Sequence, residues 1–238
     1  MTRSLTVMFI RHAEGPEGVW PGAGFTDHGI ADEQSLVIRG WQRAGAWTAL
    51  FGAGLNSADY PTPTTIFAVD PTATDEGEPS KCPCETIGPL AERLGVAPIT
   101  TFGAQQSAEL AAALAVCAGV VLVCWEHEAI LGEIVPALLG DQTIPDLPID
   151  WDDERFDVVL RFDRGAPGKP WSFRALYPRL LPGDSVAPIG EVGWPDGGED
   201  GGEALDEPEG NDSADWGDSS ADVMSGLPGD PATGSGTF

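Results

Sequence analysis

The stretch Leu5-Thr6-Val7-Met8-Phe9-Ile10-Arg11-His12-Ala13-Glu14 decides how the whole sequence is interpreted. Its first part is a run of mostly apolar and β-branched residues, which is typical of a strand buried on both faces of a parallel sheet. Polar residues follow directly, beginning with Arg11 and His12. Because α/β proteins bind ligands beyond the carboxyl ends of their strands, the stretch predicts a central strand that ends in a functional site.

Strand and helix patterns alternate after this stretch. Apolar runs over residues 65–69 and 120–125 predict two more central strands, and residues 156–162 and 171–177 predict two edge strands. Helical patterns lie between the strands. Their predicted ends are marked by a capping Ser35 and by the glycines Gly52 or Gly54, Gly95 and Gly140. The element order β-α-β-α-α-β-α-β-β predicts an α/β fold with three layers and a mostly parallel sheet.

Composition divides the chain after Asp184. Residues 185–238 contain 13 acidic residues and no Lys or Arg, together with many Gly, Pro and Ser. Such a segment buries too little apolar surface to offset the entropy that is lost on ordering it. The sequence therefore predicts a folded domain over residues 1–184 and a disordered acidic tail over residues 185–238.

Net charge and apolar runs exclude several classes of function. The chain has 12 Lys and Arg against 38 Asp and Glu, a net charge of −26. Such a polyanion repels nucleic-acid phosphates and anionic membranes, so neither is an expected partner. No apolar run approaches the ~20 residues that cross a bilayer, and no secretory signal pattern precedes Arg11, so a cytoplasmic protein is expected. The spacing of the four cysteines fits neither a disulfide framework nor a zinc site, and reduced thiols are expected.

Two of the three histidines directly follow predicted central strands. His12 follows the first, and His127 lies in the segment Trp125-Glu126-His127-Glu128 after the third. A single histidine at such a position usually caps a helix or packs in the core, but two histidines at one edge of the sheet favour a functional site. A neutral imidazole is abundant near pH 7 and can attack phosphorus, and a guanidinium such as that of Arg11 binds phosphoryl oxygens in pairs. The pattern therefore favours phosphoryl chemistry.

Several motifs together resemble the histidine phosphatase (phosphoglycerate mutase-like) superfamily, in particular its small bacterial members. The hallmark Arg-His-Gly/Ala-Glu segment is reproduced by residues 11–14, and a helix like that of residues 35–51 follows it. The segment Cys82-Pro83-Cys84-Glu85-Thr86 resembles the phosphate-site segment and the helix led by Thr. A hydrophobic strand that ends at the second histidine, here His127, completes the order. The resemblance runs from Leu5 to about Asp184.

The resemblance implies a function and a set of site residues. His12 would be the phosphorylated nucleophile, and Arg11 and His127 would bind the phosphate. The implied enzyme is a phosphoric monoester hydrolase without metal or cofactor, acting on a phosphomonoester or phosphohistidine in a small molecule or a phosphoprotein. Glu128 has the position of the proton donor in acid-phosphatase-like members, although it could equally be a helix acid favoured by the dipole. Oligomeric state does not follow from the sequence.

One residue departs from the family pattern. Members normally carry a second phosphate-binding arginine at the position of Cys82, and a thiol is a weak donor without positive charge. Lys81 could take over the phosphate contact by turning into the site. If it does not, the alternative is a catalytically weak or inactive member that serves as a binding or scaffold protein. The residue at position 82 is therefore what distinguishes the enzyme hypothesis from the binding-protein hypothesis.

Overall fold

The structure is a computed structural model that describes residues 4–16, 18, 20–54, 57–73 and 80–190. The predicted acidic tail lies outside the described residues, apart from its first six positions. No described helix is both long enough and apolar enough to cross a membrane.

Within the described residues, six strands form one mixed sheet. They are β1 (Leu5–Arg11), β2 (Thr65–Val69), β3 (Ile99–Phe102), β4 (Gly119–Trp125), β5 (Val159–Arg164) and β6 (Ser172–Leu176). Their order across the sheet is β3-β2-β4-β1-β5-β6. The pairs β1–β4, β2–β4 and β2–β3 are parallel, whereas β5 is antiparallel to both β1 and β6. β1 and β4, which carry the two predicted site segments, are therefore neighbours in the centre.

The helices are α1 (Ile38–Gly52), α2 (Cys82–Leu94), α3 (Ser107–Ala115), α4 (His127–Ala129) and α5 (Val135–Leu139), with a π-helical turn over Ile130–Ile134 between the last two. Alternate residues of β1 show how the helices cover the sheet. Val7 and Phe9 belong to a core that includes residues of α3 and α5, whereas Met8 and Ile10 pack into a core with residues of α1 and α2. Both faces of the sheet are thus buried by helices. The predicted three-layer α/β fold with a mostly parallel sheet is confirmed.

Three local predictions need correction. The sequence did not predict β3, a short strand whose residues stay partly exposed. β5 is not an edge strand, because it pairs on one side with β1 and on the other with β6. Ser35 does not cap α1: the helix begins at Ile38 after Val37, and the Ser35 hydroxyl donates to Glu85 at 2.8 Å.

The packed domain continues past the predicted boundary at Asp184. Ile189 is 1% exposed and belongs to the core on the α3 face of the sheet. The Arg155 guanidinium donates to the carbonyl oxygens of Ser185 and Ala187 at 3.0 and 2.6 Å. The packed part of the described chain therefore includes the first residues of the predicted tail.

Candidate active site

The register of the two central strands brings the first site pair together. Arg11 is the partner of Trp125 across β1 and β4, so the next residues, His12 and Glu126, leave the sheet side by side. The backbone N–H of His12 donates to the backbone carbonyl oxygen of Trp125 at 3.2 Å and extends the pairing of β1 with β4 by one residue. As a result, the Nε2 atom of His12 lies 3.0 Å from Oε2 of Glu126.

The ring of His12 is fixed by its second nitrogen. Nδ1 lies 2.8 Å from the carbonyl oxygen of Ala13. A carbonyl only accepts hydrogen bonds, so Nδ1 carries a proton, and Nε2 is the atom that can exchange a proton with Glu126. Ala13 is itself fixed, because its N–H donates to the Thr86 hydroxyl at 2.8 Å. Thr86 therefore orients the loop that carries His12. It does not lead its helix as the resemblance implies, because α2 begins four residues earlier, at Cys82.

Glu126 is a site residue that sequence reasoning missed. Burial would raise the pKa of its carboxyl, but the hydrogen bond from His12 and the charges of His12 and Arg11 outweigh burial and hold the pKa below its ordinary value. Its side chain keeps 37% exposure and reaches the site cavity. Its place at the end of β4, beside the end of β1, was the available signal.

A cavity of about 530 Å³ opens at this sheet edge. It lies where the carboxyl ends of β1 and β4 meet the loop of residues 15–34. The lining residues are Arg11, His12, Gly15, Pro16, Gly18, Glu33, Gln34, Ser80, Cys82, Glu126 and Phe156.

Arg11 supplies the guanidinium group that lines this cavity. The side chain lies over the ring of Phe156, 4.0 Å from the ring centre, and Nη1 donates to the carbonyl oxygen of Asp153 at 2.6 Å. Its Nε is buried and has no hydrogen-bond partner among the described residues. Burial lowers the pKa of Arg11, against the nearby carboxylates Glu126 and Asp153, which raise it. The group remains a cation at neutral pH because its ordinary pKa is so high.

His127 lies next to the cavity and does not line it. The residue is 8% exposed, and its Nε2 lies 2.8 Å from Oδ1 of Asp153. Burial and the positive charge of Arg11 lower the pKa of His127, although Asp153 opposes them. Asp153 thus contacts both predicted phosphate ligands, His127 through its carboxylate and Arg11 through its carbonyl oxygen.

Glu128, the acid suggested by position, is exposed and is not a lining residue. It groups instead with His127 and Asp153, whose possible ligand atoms all lie within 4.8 Å of one another. Three such donors could hold a cation. Two of the three are exposed acids, and exposed acids often cluster without an ion.

Cys82, which stands at the position of the family's second arginine, and Lys81, which could replace that arginine, occupy different places. Cys82 lines the cavity, is 5% exposed, and directs its Sγ to the carbonyl oxygen of Gln34 at 3.6 Å. Burial raises the pKa of the Cys82 thiol to about 11, so the group is neutral at physiological pH. Lys81 is not a lining residue, and its Nζ donates to the Asp32 carboxylate. The cation suggested as a replacement is engaged elsewhere.

A buried ion cluster supports the loop that carries His12. The carboxylate of Glu14 accepts from Arg43 at 2.8 Å and from Arg39 at 3.2 Å. Arg43 also donates to Asp184 at 2.9 and 3.0 Å, which connects the loop to the segment that follows β6. α1 approaches this loop so closely at Gly40 that an added Cβ atom would lie 2.3 Å from the Glu14 carbonyl oxygen.

No protein-family model and no curated protein matches this sequence. The solved structures that are similar to the chain include the following two. Mycobacterial hydrolase 2 has 13% sequence identity and a TM-score of 0.42, over 72% of this chain and 89% of that one. The protein histidine phosphatase SixA, complexed with tungstate, has 13% identity and a TM-score of 0.43, over 73% of this chain and 97% of that one. At this identity both likenesses concern the fold alone, and neither assigns a function to this chain.

Proposed function

We propose that the protein is a metal-independent phosphatase that transfers the phosphoryl group of its substrate to His12. The observation that carries this proposal is the orientation of the His12 ring. The hydrogen bond between Nδ1 and Ala13 selects the tautomer, and Nε2 is then the nucleophilic atom beside the cavity. The Arg11 guanidinium on the same cavity supplies paired donors for the phosphoryl oxygens.

His12 and Glu126 together supply the proton transfers. When a phosphomonoester dianion enters, the proton between Nε2 and Oε2 moves to Glu126 and leaves a neutral imidazole. Nε2 bonds to phosphorus while the bond to the leaving oxygen breaks, and Glu126 gives its proton to that oxygen. Glu126 then takes a proton from water, whose oxygen attacks phosphorus and breaks the P–N bond. Alcohol and inorganic phosphate leave, and the original pair is restored.

Phosphate must displace the carboxylate of Asp153 to reach His127. The carboxylate of Asp153 is 78% exposed, so it can move away from His127 at small cost. A neutral His127 can then donate Nε2–H to a phosphoryl oxygen. Its lowered pKa keeps the ring neutral near pH 7, and a neutral ring with its proton on Nε2 is still a hydrogen-bond donor.

A second candidate function is binding without turnover, and the state of Cys82 favours it. The thiol stands in the cavity as a neutral group, and Lys81 is paired with Asp32. The site would then have one guanidinium where two stabilise charge in the transition state. Losing one such donor lowers the rate by about 10²–10³-fold.

Hydrolysis of an aryl phosphate in the presence of a chelator tests both functions. The proposed phosphatase releases inorganic phosphate, and His12→Asn abolishes the release while retaining the melting temperature. If the wild type is inert and Cys82→Arg is active, the protein is a binder on this fold. If a folded wild type and a folded Cys82→Arg are both inert toward a panel of phosphomonoesters, the phosphatase proposal is wrong.

A further inference from the structure

The cavity has an unusual balance of charge for a site that would take a phosphate dianion. Among its lining residues, Arg11 is the cation beside His12, whereas Glu33 and Glu126 are both carboxylic acids. Glu126 is paired with His12 at 3.0 Å. Glu33 is exposed and has no hydrogen bond or ion pair with any other described residue. One carboxylate on the cavity rim is therefore left without a cation.

Among the described residues, no Lys or Arg pairs with Glu33. The sequence of residues 15–34 contains four acidic residues and no Lys or Arg. The nearest lysine in the sequence, Lys81, is held by Asp32. Arg39 lies over Trp20 and is held by Glu14. Among the described lining residues, Arg11 is therefore the one Lys or Arg, against the carboxylic acids Glu33 and Glu126.

We infer that the substrate is a phosphomonoester whose alcohol part carries a positive charge, an aminoalkyl phosphate or a close analogue. This inference rests on the proposed phosphatase function. With the phosphoryl group at His12 and Arg11, the alcohol part extends toward the open cavity, where Glu33 lies on the rim. An ammonium group there is attracted, and a second anionic group, as in a bisphosphate or a carboxylate ester, is repelled.

Three phosphomonoesters of nearly equal size, which differ in the charge of their alcohol part, test this preference. Phosphoethanolamine carries an ammonium group, 2-hydroxyethyl phosphate is neutral in its alcohol part, and phosphoglycolate carries a carboxylate. We expect kcat/KM to fall in that order, by roughly tenfold overall, because an exposed ion pair contributes a factor of about two to five in each direction. Added salt should reduce the spread, since it screens exposed charges.

Glu33→Gln should reduce the ratio between the ammonium and carboxylate compounds to less than about threefold. The matched control is Glu109→Gln, an exposed acid on α3 that does not line the cavity, which should leave the ratio unchanged. Calorimetric binding of the same three compounds to His12→Asn measures the preference without turnover. Equal binding of all three, or a preference for phosphoglycolate, overturns the inference. If binding follows the expected order but neither the wild type nor Cys82→Arg hydrolyses any of them, the preference of the cavity for a cationic ligand is confirmed, while the phosphatase proposal, and with it the role of that ligand as a substrate, is wrong.

Discussion

Replacing Arg43 with Met is expected to destabilise the domain by about 3–5 kcal/mol, because it removes the buried cation between Glu14 and Asp184 and leaves these carboxylates only the longer contacts with Arg39, at 3.2 and 3.7 Å. The Arg43 side chain is 2% exposed, and those of Glu14 and Asp184 are 1% and 4% exposed. Arg43 donates two hydrogen bonds to Asp184 and three to Glu14. Met keeps the helix propensity of α1, so the change tests the ion cluster rather than the helix. For a domain of this size the loss corresponds to a melting temperature about 6–20 °C lower.

Urea unfolding followed by tryptophan fluorescence measures this loss, and Arg174→Met is the control. Arg174 pairs with Asp59, but the two side chains are 47% and 51% exposed. Removing such a surface pair is expected to cost less than about 1 kcal/mol. If Arg43→Met is as stable as Arg174→Met, the ion cluster does not stabilise the domain and the reasoning is refuted.

The pH dependence gives a second check on the cluster. Burial alone would raise the pKa of Asp184, but the hydrogen bonds from Arg43 and the Leu181 N–H outweigh it and lower the pKa. A lowered folded pKa gives stability that is complete above the unfolded value of ~3.9 and is lost as pH falls through the folded pKa. The difference between wild type and Arg43→Met should therefore be full at pH 7 and shrink below about pH 4. A difference that stays constant down to pH 3 would contradict the proposed cause.

Three further predictions concern the cavity. Asp153→Asn should tighten the binding of inorganic phosphate, measured by calorimetry, by about twofold to fivefold, because it removes the anion that competes for His127. The control Asp152→Asn should leave the affinity unchanged, and a weaker affinity in Asp153→Asn would count against this competition. Alkylation of Cys82 by iodoacetamide, followed by mass spectrometry, should be slow at pH 8 and rise about tenfold per pH unit toward its pKa of about 11, whereas a flat profile would indicate a thiolate near neutrality. Glu126→Gln should lower kcat/KM by about 10²–10⁴-fold for alkyl phosphates and much less for aryl phosphates with good leaving groups; equal losses for both would exclude proton donation as its role.

The central part of the fold could be predicted because burial there leaves a simple pattern. β1 and β4 are covered on both faces, so both read as continuous apolar runs that end in polar site residues. β3 left no such pattern, since three of its four residues are half-buried and the fourth, Thr101, is exposed. The position of β5 depends on which strand it pairs with, and local sequence does not encode the partner.

The sequence predicted those site residues that directly follow one apolar strand. It did not predict the contacts that form only when two strands pair or when distant segments meet. Arg11 and His12 follow one apolar run, which marks them at once. Glu126 became a site residue only through the register of β1 with β4, which places it beside His12. The contact of Asp153 with His127 joins residues 26 positions apart, and neither residue carries a local signal for it.

Trapping the phosphoryl group on the enzyme tests the central claim most directly. The wild type is mixed with an excess of an aryl phosphate, quenched in alkali within milliseconds, digested and sequenced by mass spectrometry, with His12→Asn treated in parallel. The account predicts an acid-labile, alkali-stable phosphoryl group on Nε2 of His12 that forms and decays fast enough to support turnover, and none in His12→Asn. Phosphate release that continues in His12→Asn, or a phosphoryl group found on another residue, would contradict it.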